Sequence, residues 1–435
     1  MIIEKLDKSK LTPRKKARVL FIDMNSFFAS CEQQDNYYLR NRPVAVCVYT
    51  GRFGCVIAPS IEAKKYGVKT GMRLNEAVLL CPDLIPIETH PDRYRNYHVK
   101  IMQILKTYSD DVFPKSIDEA IVDLTNYELI HKDMVIVANK IKKDIREKVG
   151  DWLKCSIGIA PNSFLAKLAS DVQKPDGLTL INPENIDTVF SKLKLTDLAG
   201  ISFATEERLK KGGINTPLQM RYASPENLKA IFKSVLGFYW HCRLNFIEVD
   251  LQNHNDYKSM QAMRHLSQEQ RKSYDSINEL LVALCLTLER RMMKRHIFAN
   301  TLGCGIRYAN GDRWDDYINL SLPIQDGAEI YKAIMERIES FETNNPSEKI
   351  IHTGIISISL YVSHFIDNTM VQYNLFEDNS KKDHLRKVVY DLKDKFGKHK
   401  LMRAVELKEG ELMQDVIGFG SVKDLYNDEK TDFIS

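Results

Sequence analysis

The run Val19-Leu20-Phe21-Ile22 is continuously apolar and β-prone, and it ends in Asp23. That pattern predicts a strand buried on both faces that delivers a carboxylate at its C-terminal end. A helix-like stretch, 26–34, follows. Between residues 42 and 91 short β-prone runs are broken by Gly51, Gly54, Pro59, Gly67 and Gly71, which suits a small subdomain inserted into a larger one. A helix around 93–108 leads to two short strands, 111–115 and 120–124, with Ser116-Ile117-Asp118-Glu119 at the turn between them. A helix over 132–149 and a strand at 155–160 complete the order strand, helix, strand, strand, helix, strand of the split βαβ, or ferredoxin-like, motif. In that topology the first strand lies in the sheet centre, so Asp23 can meet Asp118 and Glu119 although 95 residues separate Asp23 from Asp118.

Residues 193–246 show no β-like alternation and carry turn signals at Gly200, Gly212-Gly213 and Pro217, which predicts a compact all-helical domain. The polar stretch 251–257 (LQNHNDY) reads as a tether. Beyond it Ile277, Leu280, Leu281, Leu284, Leu288 and Met292 recur at helical spacing, while 301–308 and 356–363 alternate apolar and polar residues. In the second of these strands Ile356, Ile358, Leu360 and Val362 are expected to face in, and Ser357, Ser359 and Tyr361 out. Strands at 258–264 and 317–322 and a helix at 328–341 make the order βαββαβ once more. The fold class is therefore α+β and multidomain, with two ferredoxin-like units separated by a helical one and no detectable repetition of sequence.

A chain of 435 residues with 44% hydrophobic and 28% charged residues can bury sizeable cores. Collagen-like, mucin-like and wholly disordered classes are excluded. The net charge of +4 decides little, but the charge is pooled: residues 1–18 carry seven Lys/Arg against two acids, 192–243 nine against four and 381–403 nine against three, while 404–435 carry three against eight. Three basic pools favour a phosphate-rich ligand over three merely solvated faces. Arg290, Arg291, Lys294 and Arg295 end the long helix of the second unit, where the helix dipole alone favours cations. The outward residues Thr301, Gly303, Gly305 and Arg307 form a small or basic surface that a sugar-phosphate backbone could approach. The eight cysteines contain no CxxC pair and sit mostly in apolar runs, so they read as reduced core residues. No run has signal-peptide or membrane-spanning length, and a cytoplasmic protein is expected.

One carboxylate at a strand end and two at a hairpin turn are what a pair of hard divalent cations needs, because Mg²⁺ takes oxygen ligands and leaves positions open for substrate phosphates. Two such cations can activate a 3′-hydroxyl and stabilise a leaving pyrophosphate. A solvated turn or a salt bridge is the commoner fate of such acids. The segments DMNSFFASCEQ, CVIAPSIEAKKYGVKTGM, SIDEAIVDLT and SIGIAPNSFLAKLASDVQKPDGLTLI stand in that order along the chain. Together they closely resemble the Y-family, or translesion, DNA polymerases, especially their UmuC-like branch. The resemblance is strong over 18–182 and looser to about residue 420.

This resemblance implies a right-hand polymerase. Its parts would be a ferredoxin-like palm (1–27 and 91–180), small fingers (28–90), an all-helical thumb (181–250), a linker (251–257), a ferredoxin-like little finger (258–368) and a C-terminal tail (369–435). Position by position, Asp23 and Asp118 match the aspartates that bridge two metals, Glu119 matches the acid serving the primer-side metal, and the Met24 backbone carbonyl matches a further ligand. Phe28, which taken alone would be a core Phe on a short helix, matches the aromatic steric gate against a ribose 2′-hydroxyl, with Phe27 beside it in the nucleotide site. Lys64 and Lys167 match basic residues on the triphosphate, where ammonium groups offset charge moving onto pyrophosphate. Asn25 replaces the second aspartate of a DxD-like form, and Ile61 and Lys64 stand where many relatives have Tyr and Arg. Losing those donors predicts weak nucleotide binding. Leu198–Ser202 and Lys211–Ile214 resemble helix-hairpin-helix turns of the thumb, with Ser202 where a second glycine is common.

Gln372-Tyr373-Asn374-Leu375-Phe376 looks like the peptide by which bacterial polymerases dock on the sliding clamp, with Gln372, Leu375 and Phe376 as its anchors. Residues 391–404 also resemble the helical tail of these polymerases. The implied function is DNA-dependent, low-fidelity translesion DNA synthesis in damage tolerance, without proofreading. It would use two Mg²⁺ ions, for which Mn²⁺ could substitute. Expected partners are primer-template DNA, deoxynucleoside triphosphates and the clamp, with no membrane, a monomeric chain and room for an accessory protein. Two alternatives stay open, a non-catalytic DNA-binding accessory factor that keeps the fold and a two-metal nuclease.

Overall fold

The computed structural model describes residues 11–51, 54–251, 258–267, 269–371, 379–396 and 400–401. These divide into two compact units, one ending at residue 251 and one beginning at 258. In the first unit the chain runs β1 (Val19–Met24), α1 (Phe27–Asp35), β2 (Val44–Cys47), β3 (Val56–Pro59), α2 (Ile61–Lys65), α3 (Leu74–Leu80), β4 (Ile85–Glu88), α4 (Pro91–Lys106), β5 (Val112–Pro114), β6 (Glu119–Asp123), α5 (Met134–Lys148), β7 (Cys155–Ala160), α6 (Ser163–Val172) and β8 (Leu178–Leu180). Five helices follow: α7 (Ile186–Phe190), α8 (Phe203–Lys211), α9 (Pro217–Tyr222), α10 (Pro225–Phe232) and α11 (Leu236–Leu244).

The central sheet has the order β5-β6-β1-β7-β8. Its first four strands pair antiparallel, with β1 between β6 and β7, and this is the ferredoxin-like arrangement; β8 adds a parallel edge to β7. The apolar run of β1 is continuous because both faces of the sheet are covered. Leu20 and Ile22 pack with Ala120, Val122, Ile157 and Ile159 under α4 and α5. There α5 presents Met134, Val137, Ala138, Ile141 and Ile145, a stripe at helical spacing. On the opposite face Val19, Phe21 and Ile121 share a core with Phe164, Leu165 and Leu168 of α6 and with Ile186, Phe190, Leu228 and Trp240 of the following helices. Each such large side chain contributes about 1.5–3 kcal/mol by leaving water. The helical segment thus shares its core with the sheet.

A second, small sheet, β3-β2-β4, forms with α2 and α3 its own core of Ala45, Cys47, Val56, Ala63, Val68, Leu74 and Ala77. Helix α1 bridges the two: Phe27, Phe28, Ala29 and Cys31 pack in the core of the large sheet, which also takes in Val46 of β2 and Ile57 and Ala58 of β3. Two details depart from the sequence reading. Glu119 is the first residue of β6 and pairs with Asp23, so the turn holds Asp118 but not Glu119. Of the eight cysteines, all free, Cys55 is exposed and the other seven are buried.

The second unit runs β9 (Ser259–His265), α12 (Tyr274–Lys294), β10 (Ile297–Tyr308), β11 (Arg313–Ile324), α13 (Gly327–Asn344), β12 (Ile355–Asp367) and α14 (Asn379–Phe396). The expected βαββαβ order is present, and all six residues of the predicted stripe from Ile277 to Met292 are buried on α12. The strand order is β11-β10-β12-β9, so here the last strand takes a central place and the first lies at the edge. The 7-residue β9 buries only Met260 and Ala262, whereas the 13-residue β12 buries Ile355, Ile358, Leu360 and Val362. Ile355 replaces the expected Ile356 in the core, and Ser357, expected to face out, is buried, because the register shifts between Arg307 and Tyr308. The expected open surface at Gly303 and Gly305 is filled. A Cβ on Gly303 would lie 1.9 Å from the Tyr361 ring, and one on Gly305 2.5 Å from the Asp315 carboxylate. Side chains of neighbouring strands fold over the space these glycines leave.

Candidate active site

Strand alternation places Asp23 on the same face as Val19 and Phe21, the face that α6 covers. In β6 Glu119 and Ile121 share that face. Asp23 and Glu119 are direct cross-strand partners. Like charges so opposed repel, and the side chain between them supplies the counter-charge. Lys167 Nζ donates to Asp23 Oδ2 at 2.7 Å and to Glu119 Oε1 at 2.6 Å. Its ammonium lies 4.9 Å from the centre of the Phe21 ring. Lys174 Nζ donates to the same Asp23 oxygen at 2.7 Å, and Asp171 ion-pairs with Lys174 at 2.8 Å and Lys167 at 3.4 Å.

Asp118 sits one residue before β6. Its backbone carbonyl accepts from Met24 N at 2.9 Å, and Ser116 Oγ donates to its carboxylate at 2.5 Å. The fully buried His98 of α4 lies against the same turn, its Nδ1 2.8 Å from the Ile117 carbonyl. Since a carbonyl only accepts, that nitrogen carries the proton.

The electrostatics follow from this crowding. Burial alone would raise the Asp23 carboxyl, but Lys167 and then Lys174 outweigh it and hold it below its ordinary value. Glu119 is raised, chiefly by burial, against the pull of Lys167. Asp118 is also raised by burial, with the Ser116 hydrogen bond opposing and the Asp23 charge adding to the shift. Burial lowers the Lys167 ammonium, but Asp23 and Glu119 prevail and raise it. Lys64 on α2 is lowered by partial desolvation and then by Lys174, while Asp23 and Asp118 pull it up. Lys64 therefore belongs to the same field.

Asp23, Asp118, Glu119 and Lys167 thus converge, Lys64 feels the charges of Asp23 and Asp118, and Met24 is tied to Asp118. Among the described residues no three acidic, histidine or cysteine side chains close on a common point as they stand, because lysine ammonium groups occupy the space between the carboxylates. The donor set suits hard cations: the carboxylates of Asp23, Asp118 and Glu119 supply oxygen ligands, and positive charge already answers them.

Phe28 is buried and stacks on Tyr94, ring centres 4.4 Å apart and 19° from parallel, and Phe27 is tilted against it at 5.9 Å. The Tyr94 hydroxyl donates to the buried Glu32 at 2.7 Å, and His90 and Arg93 reach the same carboxylate. Gln372, Leu375 and Phe376 lie outside the described residues. The sequence reading did not single out Lys174, Asp171, His98 or Tyr94. Lys174 had a signal in the run Gln173-Lys174-Pro175-Asp176-Gly177, a turn-forming segment after α6; the other three become visible only once α4 and α6 are folded onto the sheet.

Residues 22–171 match the impB/mucB/samB family, and residues 257–375 match the C-terminal domain of that family. The chain is 30% identical to DNA polymerase IV of Bacillus velezensis over 95% of its length and 99% of the relative. It is 30% identical to DNA polymerase IV 1 of Bacillus subtilis with the same coverage, and 29% identical to DNA polymerase IV of Pelotomaculum thermopropionicum over 91% of this chain and 97% of that one. Among solved structures it is similar to a Y-family DNA polymerase chimera of Dbh and Dpo4 (TM-score 0.68) and to an insertion ternary complex of Dbh DNA polymerase (TM-score 0.55). Both are 24% identical, covering 80% of this chain and 99% of the other. With its acids and lysines on one face of a ferredoxin-like sheet and its likeness running nearly end to end, the chain belongs to the Y-family of DNA polymerases, the impB/mucB/samB family.

Proposed function

We propose that this protein is a DNA-directed DNA polymerase that adds nucleotides to a primer 3′ end opposite damaged as well as intact template. The observation that carries the reading is the direct opposition of Asp23 and Glu119, with Asp118 one residue away, on a face where the ammonium groups of Lys167 and Lys174 answer the two opposed carboxylates. Two divalent cations, Mg²⁺ or Mn²⁺ in its place, held by Asp23, Asp118, Glu119 and the Met24 carbonyl, would supply the charge that activates a 3′-hydroxyl and stabilises a leaving pyrophosphate. The protein's own groups do the rest. Ser116 fixes the Asp118 carboxylate, and Lys64, Lys167 and Lys174 present positive charge to a triphosphate. Lys174, 37% exposed against 21% for Lys167, is the ammonium best placed to leave Asp23 for a phosphate.

Phe28 forms the wall below the nucleotide sugar, and its stack on Tyr94 supports that role because a gate must not yield. In this reading the five-stranded sheet is the palm, the three-stranded sheet the fingers, helices α7–α11 the thumb and the second unit the little finger. Gln372, Leu375 and Phe376 dock the chain on a sliding clamp.

Primer extension with Mg²⁺ on undamaged and lesion-bearing templates tests the reading. Wild type extends both, and Asp118→Ala and Asp23→Asn each lose at least about 100-fold in rate. An equally active Asp118→Ala would sink the site assignment; a wild type that binds DNA without extending it would favour the accessory-factor reading. Replacing Leu375 and Phe376 by Ala abolishes clamp-stimulated extension and leaves clamp-free extension intact, and unchanged stimulation would remove the clamp assignment.

A further inference from the structure

We propose that Asn25 is a positioning residue that holds the loop carrying Lys174 at the active site, and that its side chain serves this loop rather than a metal. The inference rests on the reading of Lys174 as a triphosphate contact. Asn25 follows β1 directly, two residues beyond Asp23, and is 6% exposed. Every polar atom of its side chain is used inside the protein. Nδ2 donates to Ser156 Oγ at 3.1 Å, and Oδ1 accepts from Asp176 N at 2.7 Å. Ser156 Oγ in turn accepts from Gly177 N at 3.2 Å. Asn25 and Ser156 therefore grip two consecutive amides of the loop that begins at Gln173, where α6 ends. The backbone of Asn25 is fixed as well: its N–H donates to the Lys154 carbonyl at 2.8 Å, and its carbonyl accepts from the Ser30 hydroxyl at 2.8 Å.

The loop needs such a grip. Asp176 has φ +57°, a left-handed conformation that a non-glycine residue keeps only when its surroundings hold it. From the other side Lys142 donates to the Asp176 carbonyl at 2.6 Å, and Arg146 pairs with its carboxylate at 3.1 Å. Two residues before Asp176, Lys174 Nζ lies 2.7 Å from Asp23. Losing the Asn25 acceptor leaves the Asp176 N–H without its partner, frees the loop on its inner side, and lets Lys174 drift from the phosphate path. An aspartate at position 25 keeps that acceptor, with the Ser156 hydroxyl able to turn and donate to it, so the position tolerates Asn or Asp but not an apolar side chain.

The test is equilibrium titration of a deoxynucleoside triphosphate, in Mg²⁺, onto the full-length protein bound to a primer-template whose primer ends in a dideoxynucleotide. Asn25→Ala weakens nucleotide Kd about tenfold, the worth of one or two hydrogen bonds. Asn25→Asp stays within about twofold of wild type, and Kd for the primer-template itself does not change. In a Lys174→Ala background Asn25→Ala adds no further loss. An Asn25→Ala that lowers Tm without moving nucleotide Kd, or that weakens Kd by its full factor without Lys174, overturns the inference. If Lys174→Ala alone leaves Kd unchanged, the reading of Lys174 fails and the inference falls with it, an outcome distinct from a failure of coupling. Ser156→Ala, which removes the Gly177 contact, gives the same readout at a smaller factor if Asn25→Ala does not fold, and an unchanged Kd there also counts against the proposal.

Discussion

Lys167 is the one cation paired with Glu119 among the described ion pairs, and it shares Asp23 with Lys174. Replacing it by methionine keeps the length of the stem and leaves the buried Asp23, still paired with Lys174, facing the part-buried Glu119 across a strand pair. A loss of about 1–3 kcal/mol is expected in urea denaturation with EDTA, less than for a fully buried pair because Glu119 keeps some water. Part of the loss returns on adding Mg²⁺. Equal stability of Lys167→Met and wild type in EDTA would show that the acids do not depend on the lysine. At Phe28 the prediction concerns choice of substrate. Phe28→Val removes the ring stacked on Tyr94, and the preference for deoxyribo- over ribonucleotides falls about 10- to 100-fold, read as a ratio of kcat/KM values. A ratio within twofold of wild type would remove the gate assignment.

Helix α6 is the element on which the site turns, because it carries Lys167 and Asp171. It lies unusually close to the sheet. A Cβ on Gly158 of β7 would come within 2.0 Å of the Ala166 carbonyl and 2.3 Å of the Ser170 amide, both backbone atoms of α6 that cannot swing away. Its N-terminus is clamped from the end of the helical segment. Asn162 caps the helix by accepting from Leu165 N at 2.9 Å and also donates to the Arg243 carbonyl, while the Glu248 carboxylate accepts from the Ser163 amide at 2.7 Å and its hydroxyl at 2.8 Å. Gly158→Ala must lift α6 off the sheet, at a cost of about 1–3 kcal/mol, and moves Lys167 away from Asp23. Its kcat for primer extension is expected to drop at least about tenfold while the far-ultraviolet circular dichroism stays native. Normal kcat would mean that α6 can rise without disturbing the acids. Glu248→Ala, which strips two bonds from the helix start, costs about 1–2 kcal/mol, checked by chemical denaturation.

At the scale of the whole molecule the net charge of +4 conceals its distribution. The last 32 residues hold three Lys/Arg and eight Asp/Glu, a net of −5, so ending the chain at residue 403 takes the formal charge to +9. That truncation keeps the Gln372–Phe376 segment. It is expected to bind primer-template more tightly than the full chain at low salt and to lose the advantage as salt rises. Identical affinities at low salt would show that the acidic residues do not oppose the basic pools.

Periodicity made most of the architecture legible. The buried run of β1, the stripe from Ile277 to Met292 and the alternation in β12 each report which face is covered, and covering a face is a local demand on residue type. Asp23, Asp118 and Glu119 could be nominated together because a carboxylate at the end of an apolar strand is conspicuous and the split βαβ order brings those ends together. What the chain alone could not set was the register. Only pairing of β1 with β6 puts Glu119 opposite Asp23 instead of in the turn, and only the packing of α6 on the sheet puts Lys167 between them. The same holds for Phe28, an unremarkable core residue until α4 brings Tyr94 onto its face, for the glycines of β10, whose open space neighbouring strands fill, and for Asn25, whose partners lie 131 and 151 residues away. The sequence by itself determined the elements and the kinds of charge available, because hydrophobic burial follows residue type and spacing. Tertiary structure decided which charges meet, because distances of about 3 Å between groups far apart in the chain are set by strand register and helix packing, and neither is written in any local segment.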